Sequence, residues 1–311
     1  MIRIPRCSEA EEVTGMKTGN PIRQSGKRTF NIIAVSILGF MSLLAIIPFI
    51  MIVTGSFSSS DEIIKHGYSF LIQKFSTDAY KMVFLDPQEM GNSYMVSIVV
   101  TVSGTLLGLI IMSMAGYAIQ CREMRFRNSI AFYFYFTTLF SGGLVPWYML
   151  ISNMGMRDTL WSLMVPALLN SFYILLIRNF MKEIPDSLAE SAKIDGAGQF
   201  RIYVQIILPL SKPILATVAL FVALGYWNNW YLASLFITNV RLWPLQFRLH
   251  RVLTAAQAVA QGGAEHFQNA IIPTETVKLA TAVVTTLPIL VVYPFLQKYF
   301  VAGITIGAVK G

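Results

Sequence analysis

The chain has 311 residues, 55% of them hydrophobic and only 13% charged, with a formal net charge of +8. A soluble domain carries about 25% charged residues, so these proportions exclude one large soluble core and point to membrane spans. The basic balance does not read as nucleic-acid binding, because no polar face interleaves aromatic and basic residues; in a membrane chain basic residues set orientation.

Residues 1–29 are polar and basic, carrying Arg3, Arg6, Lys17, Arg23, Lys27 and Arg28. The apolar run that follows is too long for a signal-peptide core, so residues 30–57 are expected as an uncleaved first span behind a cytoplasmic tail. Charge-free windows predict five further spans at about 91–120, 129–156, 159–177, 213–238 and 279–297. A crossing needs about 20 apolar residues. Backbone in hydrocarbon must satisfy its own hydrogen bonds, so the spans are helices. The expected architecture is an all-α integral membrane protein: a membrane domain over 30–302, an inner loop at 178–212, outer loops at 58–89 and 239–275, and a short C-terminal tail at 303–311.

Lys and Arg in the loops fix the sidedness. The tail, Arg122, Arg125 and Arg127, the 178–212 loop and Lys298 with Lys310 place 16 of the 24 on one side. Both termini are therefore expected inside. Gly104 and Gly108 form a GxxxG on the second span with Gly116 beyond it, a packing face. Prolines 48, 146, 166, 288 and 294 fall within the apolar windows, either as tolerated residues or as kinks. The two outer loops read either as a folded cap or as a docking surface.

Chemistry-bearing motifs are missing. Cys7 and Cys121 form no CxxC pair, and His66, His250 and His266 are scattered, so no metal site is expected. No GxxxxGK[ST] loop is present, so no ATP site of that kind belongs to this chain. No span holds an Asp, Glu, Lys or Arg near its middle, which argues against proton or ion coupling. No clustered nucleophile, base or metal set suggests an enzyme.

One polar island remains, Glu190–Pro209, reading ESAKIDGAGQFRIYVQIILP. Ser187 and Glu190 fit a capping box, and Gly196 is placed to close a short helix. From chemistry alone this is either a loop packed on its own spans or a handle for another surface. The pattern resembles the EAA loop of binding-protein-dependent ABC transporter permeases. Glu190-Ser191-Ala192, then Gly196, then Ile206-Ile207-Leu208-Pro209 match at the family spacing, with Ser191 in place of Ala. The runs Pro209–Pro213, Gly225–Asn228, Trp243–Gln246 and Ser141–Pro146 are similar to carbohydrate-uptake permeases, in particular the smaller maltose-type subunit.

The resemblance implies a type I importer permease with six spans and a cytoplasmic coupling helix. It implies a second homologous permease, two ATPase subunits that hold ATP and magnesium, and an extracytoplasmic binding protein that delivers an oligosaccharide. Glu190, Ser191, Ala192, Asp195, Gly196, Ile206, Leu208 and Pro209 would couple to the ATPase. Arg241, Trp243, Arg248 and Arg251 in the second outer loop would meet the binding protein. Tyr226, Trp227, Asn228, Asn229 and Trp230 are either sugar contacts or an interfacial aromatic belt. A same-fold permease for another solute, or a stand-alone channel or carrier, are the alternatives.

Overall fold

The computed structural model describes residues 21–260 and 274–308, and among them every regular element is helical. The tail up to residue 20, residues 261–273 of the segment expected as the second outer loop and the last three residues lie outside the described residues. The chain forms two compact units, residues 1–51 and 52–311.

The described part of the first unit is the helix α1 (Pro21–Ser56), which runs on into the second. Its described part begins at Pro21, inside the stretch read as tail. Phe30, Ile32, Val35, Leu38 and Leu43 are exposed along it.

In the second unit α2 (Ser60–His66) and α3 (Asp78–Val83) fill the segment before α4 (Pro87–Gln120). The N-cap of α4 is Asp86, whose carboxylate accepts from the Glu89 N–H at 2.9 Å, with Pro87 next to it. Then come α5 (Arg127–Leu139), α6 (Leu144–Asn153), α7 (Trp161–Met164) with a 3-10 turn at Val165–Ala167, and α8 (Ser171–Met181). Asn170 caps α8 by accepting from the N–H groups of Phe172 and Tyr173. There follow α9 (Asp186–Ile194), α10 (Gln199–Ile202), a π-turn at Tyr203–Ile207 and α11 (Leu208–Leu210). The remaining elements are α12 (Lys212–Trp227), α13 (Tyr231–Phe236), a 3-10 turn at Val240–Leu242, α14 (Leu245–Ala260) and α15 (Glu275–Ala308).

The windows 129–156 and 159–177 are not straight helices. α5 and α6 are bent by 116°, α7 and α8 by 50°, and the α10–α11 segment and α12 by 79°. Gly143 stands at the first bend with φ 81 and ψ 173, a conformation open in practice only to glycine. Pro166 sits in the 3-10 turn before the second. Residues 28–56, α4 and residues 275–292 are long and apolar enough to cross a bilayer, and the total reaches six if each bent pair is one span.

The main core lies where α4, α8 and α12 meet. The buried residues of α4 recur every three or four positions, from Ser93 through Ser97, Val100, Gly104, Gly108, Met112 and Gly116 to Ile119. That periodicity makes one continuous buried face. Its glycines allow close approach. A Cβ on Gly104 would stand 2.6 Å from the Tyr226 ring, and one on Gly116 3.1 Å from Ile177 and 3.3 Å from the α8 backbone. Ile174, Ile177, Met181, Ile202 and Val218 are fully buried in this core. A smaller cluster of Met90, Trp227, Leu245 and Val284 joins α4, α12, α14 and α15.

A polar staple ties two turns. Asp158 adopts a left-handed conformation, φ 52, and its carboxylate accepts from the N–H groups of Thr238 (2.6 Å) and Asn239 (2.9 Å) and from the Thr238 hydroxyl (2.5 Å). These bonds, that of the Thr238 hydroxyl above all, hold the Asp158 carboxyl below the usual carboxylate range.

Candidate functional site

The Glu190–Pro209 island folds into two parts with opposite burial. The first is α9. It starts at Asp186 with Pro185 at the N-cap, and no side chain caps it. The expected Ser187–Glu190 capping box is therefore absent: Pro185 already holds the extended entry (φ −56, ψ 126), so Ser187 falls inside the first turn. The C-terminal end is as expected. Gly196 takes φ 81, its N–H donates to the Lys193 carbonyl at 2.9 Å, and the Ala197 N–H donates to the Ala192 carbonyl at 2.9 Å. These two bonds make a Schellman closure, which needs a left-handed residue at Gly196.

Ser187, Glu190, Ser191, Asp195 and Gly196 are exposed, and so are Leu188, Ile194 (88%) and, beyond the turn, Phe200 (69%). Of the small residues in this stretch, Ala192 and Ala197 turn inward and pack on the main core, whereas Ser191 and Gly196 stay at the surface. A Cβ at Gly196 would meet nothing within 4 Å, so its surface is open.

The second part, Tyr203–Pro209, is an anchor. Ile207 is buried, and Ile206 and Leu208 pack on the core; Pro209 is exposed. Tyr203 is buried and its hydroxyl pairs with the Ser113 hydroxyl of α4 at 2.7 Å. The π-turn here re-aims the chain by one residue ahead of the bend into α12.

Polar contacts from outside the motif hold α9. Lys193 donates to Glu123, and Gln199 donates to the other Glu123 oxygen at 2.5 Å. The Tyr117 hydroxyl donates to Gln199 at 2.8 Å, and Arg122 pairs with Asp186 at 2.6 Å. A cleft lined by Tyr117, Cys121, Glu123, Ala189, Lys193 and Gln199 runs between α9 and the end of α4. The Lys193 hydrogen bond lowers the Glu123 carboxyl and, reciprocally, raises the Lys193 ammonium. Burial pushes the Cys121 thiol up, so it is not a poised thiolate. Glu123, Lys193 and Gln199 had no signal in the sequence as a set. Glu123 was visible only as the acid among Arg122, Arg125 and Arg127.

The five aromatic and amide candidates at the end of α12 separate in the same way. Tyr226 and Trp227 are buried. The Tyr226 hydroxyl donates to the Met164 carbonyl at 2.9 Å, and the Trp227 indole N–H donates to the Thr285 carbonyl at 3.3 Å. Asn229 accepts from the Leu232 N–H in the first turn of α13 at 3.0 Å. Asn228 and Trp230 are exposed. The Trp230 indole stacks on the imidazole of His250, a residue not singled out from the sequence, at 3.8 Å between centroids.

In the segment around α14, Arg248 is tied down. It donates to the Ser93 hydroxyl, to the Glu89 carboxylate at 3.1 Å and to the Glu89 carbonyl at 3.2 Å. The guanidinium groups of Arg248 (5.7 Å) and Arg251 (5.4 Å) both lie over the Trp243 ring. Arg241 and Arg251 are exposed. Among the described residues no group of three or more His, Cys, Asp or Glu side chains is placed to hold a metal ion.

Residues 36–306 match the family described as binding-protein-dependent transport system inner membrane component. The chain is 40% identical to Protein LplC of Bacillus subtilis (strain 168), over 91% of this chain and 96% of that one. It is 35% identical to the polygalacturonan/rhamnogalacturonan transport system permease protein YtcP of the same organism, over 91% and 99%. Among solved structures it is similar to a bacterial ABC transporter involved in import of the acidic polysaccharide alginate. There the TM-score is 0.76 and the identity 30%, covering 88% of this chain and 98% of the other.

Proposed function

The chain belongs to the family of binding-protein-dependent transport system inner membrane components, and from that membership we propose that it is the permease subunit of an ATP-driven importer of an oligosaccharide. It is a bacterial membrane permease with the type I importer fold, not an enzyme. The observation that carries the mechanism is the split of Glu190–Pro209 into an exposed short helix and a buried anchor. An exposed helix is something a partner can hold. Ile206, Ile207 and Leu208, packed in the core, make the motion of that helix a motion of α4, α8 and α12.

In this reading α9 is the coupling helix on the cytoplasmic side, and α1, α4, α15 and the three bent pairs are the six spans, with both termini inside. Glu190 and Asp195 offer carboxylates to basic residues of an ATPase, and Leu188, Ile194 and Phe200 offer apolar contact. ATP and magnesium reside on two ATPase subunits. A ligand shifts a conformational equilibrium only through differential affinity for its states. ATP supplies that difference by drawing the ATPases together, and α9 carries it to the pathway, formed with a second permease. Arg241, Trp243 and Arg251 are the residues offered to a binding protein; Arg248 supports them from behind.

The relatives' names make fragments of galacturonan, rhamnogalacturonan and alginate the first sugars to try. The test is reconstitution of the co-expressed permease pair, ATPases and binding protein in vesicles. Uptake of an oligosaccharide that needs ATP inside is the expected result. Uptake without ATP would point instead to a carrier, and a binding protein that retains amino acids or peptides but no glycan would point to another solute.

A further inference from the structure

We propose that the break between α12 and α13 is a saccharide-binding surface, with Trp230 as its stacking face, Asn228 and Gln246 as its amides, and His250 as the residue that positions Trp230. This rests on the permease reading above and deepens it.

The exposure of the break comes first. α12 has 16 residues and ends at Trp227. α13 does not begin until Tyr231, so residues 228–230 are irregular backbone, and their side chains show what they face. Asn228 and Trp230 are exposed, and Gln246 and His250 are half-buried. Two amides and an imidazole turned to hydrocarbon would each be costly. The patch therefore faces an aqueous path.

Its geometry suits a sugar. The His250 imidazole lies within 16° of parallel to the Trp230 indole at 3.8 Å, and Tyr231 meets the indole edge-on at 5.8 Å. One face of the indole is covered and the ring is held, yet Trp230 remains 38% exposed. An indole held in this way and still exposed matches the C–H face of a pyranose ring, which covers apolar area without breaking the sugar's hydrogen bonds. Gln246 and His250 are four residues apart on α14 and share a face. Gln246 reaches the Asn228 amide oxygen only at 3.4 Å, a long bond. The Asn228 amide also donates to the Leu224 carbonyl at 3.0 Å, which leaves its second N–H and spare oxygen lone pair, and the Gln246 oxygen and second N–H, for hydroxyl groups. No carboxylate, ammonium or guanidinium belongs to this set, so the surface reads ring faces and hydroxyls rather than charge. Tyr226 and Trp227 take no part, because packing and hydrogen bonds already occupy them.

The experiment uses the full reconstituted complex and a defined panel of oligogalacturonides, alginate oligosaccharides, arabino-oligosaccharides and raffinose, with uptake read by mass spectrometry. For the sugar that the wild type imports, Trp230→Ala is expected to raise KM about tenfold, and Trp230→Phe to leave it within about threefold. His250→Ala is expected to raise KM about threefold, and His250→Phe, which keeps a ring behind the indole, to restore it. ATPase activity stimulated by the binding protein should persist in all four, which shows that the complex has assembled. Wild-type KM in Trp230→Ala would overturn the surface while leaving the permease reading intact. Equal loss in His250→Ala and His250→Phe would overturn the positioning role. No import of any panel member by the wild type would overturn the carbohydrate reading and this site with it.

Discussion

The α9 loop and the α14 segment use their charges in opposite ways. In the α9 loop the motif acids Glu190 and Asp195 are exposed and take part in no ion pair among the described residues. Residues outside the motif's fixed positions, Glu123, Lys193 and Gln199, do the anchoring. In the α14 segment the charge that looked free in the sequence, Arg248, is the anchor, holding Glu89 and Ser93 at the start of α4. A surface kept for a partner leaves its charges unpaired, whereas a segment that must be held against its own core spends them. The difference predicts that damage to α9 uncouples the protein, whereas damage around Arg248 destabilises it.

Gly196→Val tests this with the largest effect. The position needs φ 81, and a left-handed conformation costs a β-branched residue about 1–2 kcal/mol or more. The open space around Gly196 means the cost lies in the backbone alone. We expect the Schellman closure to fail, α9 to lose its final turn, and ATP-driven uptake to fall about tenfold or more. The variant should still insert in the membrane. Gly196→Asn, which tolerates the left-handed region, should fall least. A Val variant that retains its ATPase on purification and transports normally would dissolve the contrast between the two regions.

Arg248→Ala is next, and its readout is stability. The Arg248 side chain is 16% exposed and that of its Glu89 partner 43%, so the pair is neither fully buried nor freely solvated. Removing it leaves the Glu89 carboxylate and the Ser93 hydroxyl without their donor, for about 1–3 kcal/mol. The purified complex should melt several degrees lower. ATPase retention should be unaffected, because α9 is untouched. Loss of ATPase binding with an unchanged melting temperature would reverse the assignment of roles.

Much of this was legible in the sequence because hydrophobic windows and one spaced motif are local signals. α1, α4 and α15 coincide with runs that are apolar enough to read directly, and Gly196 announced its own conformation. The bends did not announce themselves. The windows 129–156 and 159–177 are uniformly apolar, and hydropathy does not distinguish a straight helix from two halves meeting at 116°. The only signals for these two bends were Gly142-Gly143 and Pro166. The anchors were invisible for another reason. Glu123 and Lys193 are 70 residues apart, and Glu89 and Arg248 are 159 apart. No pattern along the chain pairs them, because folding alone brings them together. The capping box misled because Pro185 sets the helix start by its backbone, and side-chain spacing does not reveal that.

Glu123→Gln gives the smallest effect and probes the comparison from the anchoring side. Glu123 and Lys193 are largely solvated, with side-chain exposures of 61% and 37%, so the pair contributes modestly and is weakened by salt. The Glu123 carboxyl lies below its ordinary value of 4.5, because Lys193 donates to its charged form. Its contribution is therefore complete above that ordinary value and is lost as pH falls through the lowered one. The Lys193 ammonium lies above its ordinary value of 10.5. Its contribution is complete below that value and is lost only as pH rises through the raised one. Between about pH 5.5 and 9.5 the latch is thus fully formed, and coupling should show no pH dependence from this source. Glu123→Gln retains an acceptor for Lys193 but loses the charge. We expect ATP-driven uptake to drop less than about threefold at low salt and the gap to narrow at high salt. A loss as deep as that of Gly196→Val would mean that the ion pair, and not the exposed helix it steadies, is what the ATPase moves.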